Sequence, residues 1–180
     1  MDDQALEPLR FPIGRFHAPP APPSEAELAA AQAELLAFPA AMRRAVEGLT
    51  DAQLDTAYRP GGWTVRQVVH HCADSHANSL IRFKWALTED EPTIKAYFEE
   101  RWAELPDYHL PVAVSLDHLD ALHARWVALL RSLSPGDLQR GFIHPESGQR
   151  ITLDVNTLIY AWHGRHHLAH VTELARRSGW

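Results

Sequence analysis

With 180 residues, 46% of them apolar and 22% charged, the chain has room for one domain with a sizeable core, expected to span residues 1–180. Its formal net charge of −6 argues against a nucleic-acid partner, which needs a basic footprint. A single cysteine, Cys72, excludes an intrachain disulfide framework, and neither a signal-peptide pattern nor an apolar run of about 18 residues is present, so the expected setting is the cytoplasm, away from membranes.

Residues 1–23 carry six of the thirteen prolines (Pro8, Pro12, Pro19, Pro20, Pro22 and Pro23). Proline lacks a donor and restricts its predecessor, so this stretch reads as an extended arm, not a helix. Leu9, Phe11, Ile13 and Phe16 give it apolar anchors; a disordered tail is the alternative. Ser24-Glu25-Ala26-Glu27 is a capping box that opens a helix running to about Glu47, with Gly48 as its stop. Pro39 lies inside that helix and is expected to kink or break it. Thr50 starts a short helical turn, and Arg59-Pro60-Gly61-Gly62 reads as a loop.

Thr64-Val65-Arg66-Gln67 is a second capping box, opening a helix to about Leu87. At about 100° per residue, Val65, Val68, Val69, Cys72, His76, Leu80, Phe83 and Leu87 share one face. His71, Ser75, Asn78 and Arg82 form a neighbouring polar stripe, which is either solvated or lines a pocket. A short helix is expected around Ile94–Ala103. Ser115 is expected to cap a third long helix, which carries Leu116, Leu119, Leu122, Trp126 and Leu130 and ends at Ser134-Pro135-Gly136-Asp137. Phe142–His144 and Arg150–Leu153 flank a turn and read as a small β-hairpin. The last helix spans about Leu153–Ser178, with Gly179 beyond it. Four long amphipathic helices with little strand predict an all-α four-helix bundle, and its long connections leave room for neighbours that are not simple hairpins.

Twelve histidines are the compositional anomaly, and four of them fall within the eight residues His163–His170. His163 with His167, and His166 with His170, are four apart, which places their Cβ atoms roughly 5–6 Å from each other on one helix face. Two imidazoles at that spacing can grip one metal ion. The stripe is flanked by Ile159, Trp162 and Leu174 and so faces inward, where protonated histidines are costly to bury. A metal binds the neutral form and supplies the charge itself; the alternative is core histidines bonded to backbone carbonyls. Gly164 stands where an HExxH protease would have its glutamate, which excludes that mechanism. A third ligand has to come from His70, His71 or His76; helical geometry favours His71 over His70 and leaves His76 open.

Gly61-Gly62-Trp63-Thr64-Val65-Arg66-Gln67-Val68-Val69-His70-His71 resembles the motif of the DinB-like superfamily, and more closely its YfiT group of metal-dependent hydrolases. Phe11-Pro12-Ile13-Gly14, Leu54–Arg59, Ile81–Lys84, Arg140–Pro145 and Tyr160–His163 are similar to the same group, so the resemblance covers essentially the whole chain. It implies an up-down-down-up four-helix bundle, a homodimer, and one divalent metal held by three histidines. The superfamily pattern puts those ligands at His71, His163 and His167, with His76, His166 and His170 left as supporting residues.

Such an open three-histidine site can generate hydroxide near neutral pH, which implies hydrolysis of a small-molecule substrate. Asp74, Ser75, Asn78 and Arg82 are candidates to orient that substrate, or in the case of Asp74 and Arg82 are solvated charges. A thiol S-transferase of the bacillithiol or mycothiol type is the second reading, because the same site would activate a thiol. A non-catalytic metal-binding bundle is the third. Zinc is the expected ion and nickel also suits three imidazoles.

Overall fold

Local signals set the helix starts. Ser24 accepts from the Glu27 amide and the Glu27 carboxylate accepts from the Ser24 amide at 2.8 Å; Thr64 and Gln67 repeat the exchange. The computed structural model, which describes residues 3–180, has four helices of more than 20 residues: α2 (Glu25–Val46), α4 (Val65–Thr88), α6 (Val112–Ser132) and α8 (Leu153–Ser178). Between them lie the short helices α3 (Asp51–Leu54), α5 (Glu99–Trp102) and α7 (Pro135–Leu138), and a single 3-10 turn at Pro106–His109. Strands β1 (Gly141–Ile143) and β2 (Arg150–Thr152) form an antiparallel hairpin with Phe142 opposite Ile151. Among the described residues no helix is long and apolar enough to cross a membrane.

Cross-helix contacts give the direction of each long helix. Arg43 reaches Asp117 and Asp120 while Leu35 meets His123, so α2 and α6 run antiparallel. His70 meets Ser115, His76 meets His123 and Phe83 meets Trp126, so α4 and α6 run parallel. His71 faces His163 and Ser79 faces Asn156, so α4 and α8 run antiparallel. The result is an up-down-down-up bundle in which α2 lies beside α6 and α8.

The core has two apolar clusters. One gathers Phe38, Met42, Val65, Val69, Cys72 and Leu119; the other gathers Leu35, Leu80, Phe83, Trp126, Leu130 and Phe142. His76 on α4, His123 on α6 and His163 on α8 belong to neither cluster and follow one another at 2.8 Å and 3.0 Å. A histidine layer therefore crosses the bundle where a continuous hydrocarbon core would otherwise run.

Four expectations need correction. Residues 1–23 are not all extended: α1 (Asp3–Arg10) is helical and contains Pro8, while Met1 and Asp2 lie outside the described residues. Proline density averaged over the arm hides a helical first third, which docks through the Phe11 ring against His166 and the Arg10 carbonyl against His170. Pro39 does not break α2, which runs through it. Ser115 does not cap α6; the helix starts three residues earlier at Val112, behind Pro111, and the Ser115 hydroxyl instead meets His70 Nδ1 at 2.7 Å. Helix around Ile94–Ala103 shrinks to α5, because Ile94 donates its amide to the Ile143 carbonyl and extends beside β1.

Candidate metal centre

His71 comes from the second turn of α4, and His163 and His167 from the middle of α8. The antiparallel packing of the two helices brings the three together. One ring nitrogen from each lies within 4.8 Å of the others, and His71 Nε2 stands 3.3 Å from His163 Nε2. Two nitrogens each about 2.0–2.1 Å from a tetrahedral ion are separated by roughly 3.3–3.4 Å, so this edge already has the required length. The donor set is imidazole only, which fits zinc or nickel and disfavours magnesium or calcium. His71 and His167 are buried and His163 part-buried, with the Trp63 ring against His71.

Burial holds all three imidazoles neutral. The pKa of His71 is lowered to about 4, first by desolvation. His163 and His167 are pushed well below the ordinary value by desolvation and then by their neighbouring imidazoles. Neutral imidazoles present lone pairs, so a cation can enter without first displacing protons from charged rings.

Behind the three stand other histidines. His76, fully buried, has its Nε2 3.0 Å from His163 Nδ1 and its Nδ1 2.8 Å from His123 Nε2; His123 Nδ1 is 2.6 Å from the Leu35 carbonyl. His170 Nδ1 lies 3.3 Å from His167 Nδ1, and its Nε2 lies 3.0 Å from the Arg10 carbonyl. His76 is thus turned to the back of His163 and away from the triad's centre. His70 points to α6, between Ser115 and the Leu110 carbonyl. His166 stacks on Trp162, and its Nδ1 is buried with no hydrogen-bond partner among the described residues; with His167 and His170 it forms a second histidine cluster.

In front of the triad a cavity of about 390 Å³ opens between α4, α8 and the long connections. Ser75 and Arg82 line it, as the polar stripe on α4 allows, but Asp74 and Asn78 do not. Asp74 accepts from the Tyr108 hydroxyl at 2.7 Å, and the Asn78 amide folds back to the Asp74 carbonyl. Arg82 has its Nε buried with no hydrogen-bond partner among the described residues. Tyr97, Glu99, His144, Glu146 and Tyr160 also line the walls, and sequence reasoning missed all five. It also missed His123, whose one sequence signal is a histidine on the apolar face of α6 between Leu119 and Trp126.

This architecture has close counterparts. Over 175 residues, 97% of the chain and the whole of the relative, it is 55% identical to a protein of Bacillus mycoides provisionally named a metal-dependent hydrolase. A similarly named protein of Oceanobacillus iheyensis is 56% identical over 147 residues, 82% of this chain and 85% of its own. The solved structure of YfiT from Bacillus subtilis, provisionally described as a metal-dependent hydrolase with an unusual four-helix bundle topology, superposes with a TM-score of 0.93 at 49% identity, covering 96% of this chain and 99% of that one. The sequence profile of the DinB superfamily matches residues 34–171, which takes in α4, α6, the hairpin and all three triad histidines. The chain belongs to the DinB superfamily.

Proposed function

We propose that the chain is a metal-dependent hydrolase of small molecules, with a divalent ion held by Nε2 of His71, His163 and His167. The observation that carries this reading is the convergence of three neutral imidazoles, two of them already 3.3 Å apart, on the floor of a 390 Å³ cavity. The names given to the close relatives point the same way. A divalent ion there would polarise a substrate oxygen and lower the pKa of a bound nucleophile.

The protein's own residues do the rest. Three histidines from two helices leave the cavity side of the site open, because no fourth His, Cys, Asp or Glu joins them among the described residues. Burial raises the Tyr97 phenol above its ordinary range, so it stays a hydrogen-bond donor on the wall it shares with Ser75 and Tyr160. Arg82 offers a guanidinium with no carboxylate partner among the described residues, suited to an acidic group on the substrate. His144, Glu99 and Glu146 are the wall groups able to take up or return a proton.

The test begins with protein purified without a nickel column. Elemental analysis should find one equivalent of divalent metal per chain, lost in each of His71→Ala, His163→Ala and His167→Ala and kept in the exposed control His118→Ala. Metal content unchanged by all three would sink the site. Metal-dependent cleavage of ester or amide substrates without added thiol supports the hydrolase. Turnover seen only with bacillithiol or mycothiol and an electrophile would reassign the chain as a thiol transferase.

A further inference from the structure

The histidines behind the triad have a direction. A carbonyl oxygen can only accept, so the 2.6 Å contact to Leu35 places the proton of His123 on Nδ1. Burial lowers the His123 pKa to about 4 and keeps the ring neutral, with a bare Nε2. His76 Nδ1, 2.8 Å away, must then be the donor, and its own Nε2 is bare. His163 Nδ1, 3.0 Å from that atom, must donate in turn, which leaves His163 Nε2 as a lone pair facing His71.

A second, independent chain does the same for the other α8 histidine. The Arg10 carbonyl at 3.0 Å fixes the proton of His170 on Nε2, so His170 Nδ1 accepts from His167 Nδ1 and His167 Nε2 is bare. We propose that His76, His123 and His170 are positioning residues, through which the carbonyls of Leu35 and Arg10 dictate that His163 and His167 present Nε2 to the metal.

The Leu35 carbonyl is available for a covalent reason. In an uninterrupted helix it would accept from the amide of residue 39, and Pro39 has no amide hydrogen. His76 and His123 are 0% and 1% exposed, so no bulk water competes along the first chain. Outer partners that fix the tautomer of a ligating imidazole raise metal affinity typically 10–100-fold.

His71 is the exception. Its Nδ1 has no hydrogen-bond partner among the described residues, so in the metal-free protein its Nε2–H donates to His163 Nε2 across the 3.3 Å gap. Of the three ligands it alone has to exchange tautomer when the site is loaded.

This inference rests on the three-histidine site proposed above, but its primary readout does not need a metal. In protein carrying 15N-labelled histidine, long-range proton–nitrogen spectra should show His163 and His167 as Nδ1–H tautomers before metal is added, and His71 changing tautomer when zinc is titrated in. His123→Leu should redistribute the His163 tautomer and weaken zinc binding about 10–100-fold, leaving His167 unchanged. His123→Gln keeps a donor for Leu35 and an acceptor for His76, so it should restore both properties and separates lost order from lost folding. His170→Phe should disturb His167 and leave His163 as it was.

A His163 tautomer indifferent to His123→Leu, with zinc affinity unaltered, would overturn the proposal. A second zinc equivalent that removes the His167 Nδ1 proton would overturn the role of His170 and make His166, His167 and His170 a second site. Failure of the wild type to hold zinc, with every tautomer as described, would refute the metal site and leave the proton order standing.

Discussion

Gly164 packs directly against the ring of Phe38: a Cβ at residue 164 would stand 2.9 Å from Phe38 Cδ2. The glycine that removes the protease glutamate from the histidine motif is therefore also what lets α8 close on α2. Gly164→Ala should cost about 1–3 kcal/mol of stability through overpacking. Because His163 is the next residue, zinc affinity should fall as well. Thermal denaturation and competition with a chelator measure the two effects, and an unchanged melting temperature would show that the Phe38 ring swings aside at no cost.

Acid should destabilise the metal-free protein. The folded-state pKa of His123 is about 4, against an ordinary value of 6.5, with burial as the main cause. Between those values the unfolded chain binds more protons, so stability is fully present above pH 6.5 and drains away as pH falls toward 4. For His123 alone the loss is about 3 kcal/mol. His71 and His170, also lowered to about 4, add with the same sign. Urea midpoints measured from pH 7.5 down to 4.5 should decline, with a shallower slope in His123→Gln; a flat profile would contradict the buried neutral state.

Cys72 should be inert. It is 0% exposed, and burial raises its thiol far above the ordinary value. Iodoacetamide should label the native protein negligibly and the urea-unfolded protein to one equivalent per chain. Rapid labelling of the native state would reopen a protein thiol as a nucleophile beside the histidine triad.

Arg82 should matter to turnover and not to folding. It makes no ion pair among the described residues and lines the cavity, so Arg82→Ala should move stability by less than about 0.5 kcal/mol and leave metal content alone. Against acidic substrates KM should rise several-fold more than against neutral ones. Equal KM changes for both classes would remove Arg82 from substrate recognition.

Much of the architecture is legible in the sequence because its signals are local. The capping boxes at Ser24 and Thr64, the apolar stripe on α4 and Gly179 beyond α8 each lie within one or two turns of what they determine. His163 and His167 could be paired by helical spacing, which favours His71 over His70 but leaves His76 open; only with the family resemblance could the set His71, His163 and His167 be singled out. His123 could not, since its role depends on a proline in another helix that leaves a carbonyl unclaimed. Helix α1 was hidden by counting prolines over too wide a window. Tyr97, His144 and Glu146 lie on connections whose path across the bundle no periodicity encodes.

Those connections meet over the triad. Ile143 of β1 donates to the Pro92 carbonyl at 2.9 Å and accepts from Ile94, and Arg140 clasps the Ala86 carbonyl at 2.7 Å. The cavity floor thus belongs to the bundle and much of its roof to two loops stitched together by backbone bonds. Loop sequence and length can drift without disturbing the helices. One histidine floor can accordingly sit under different roofs, so a change in the two loops would alter what the cavity admits without moving the histidines.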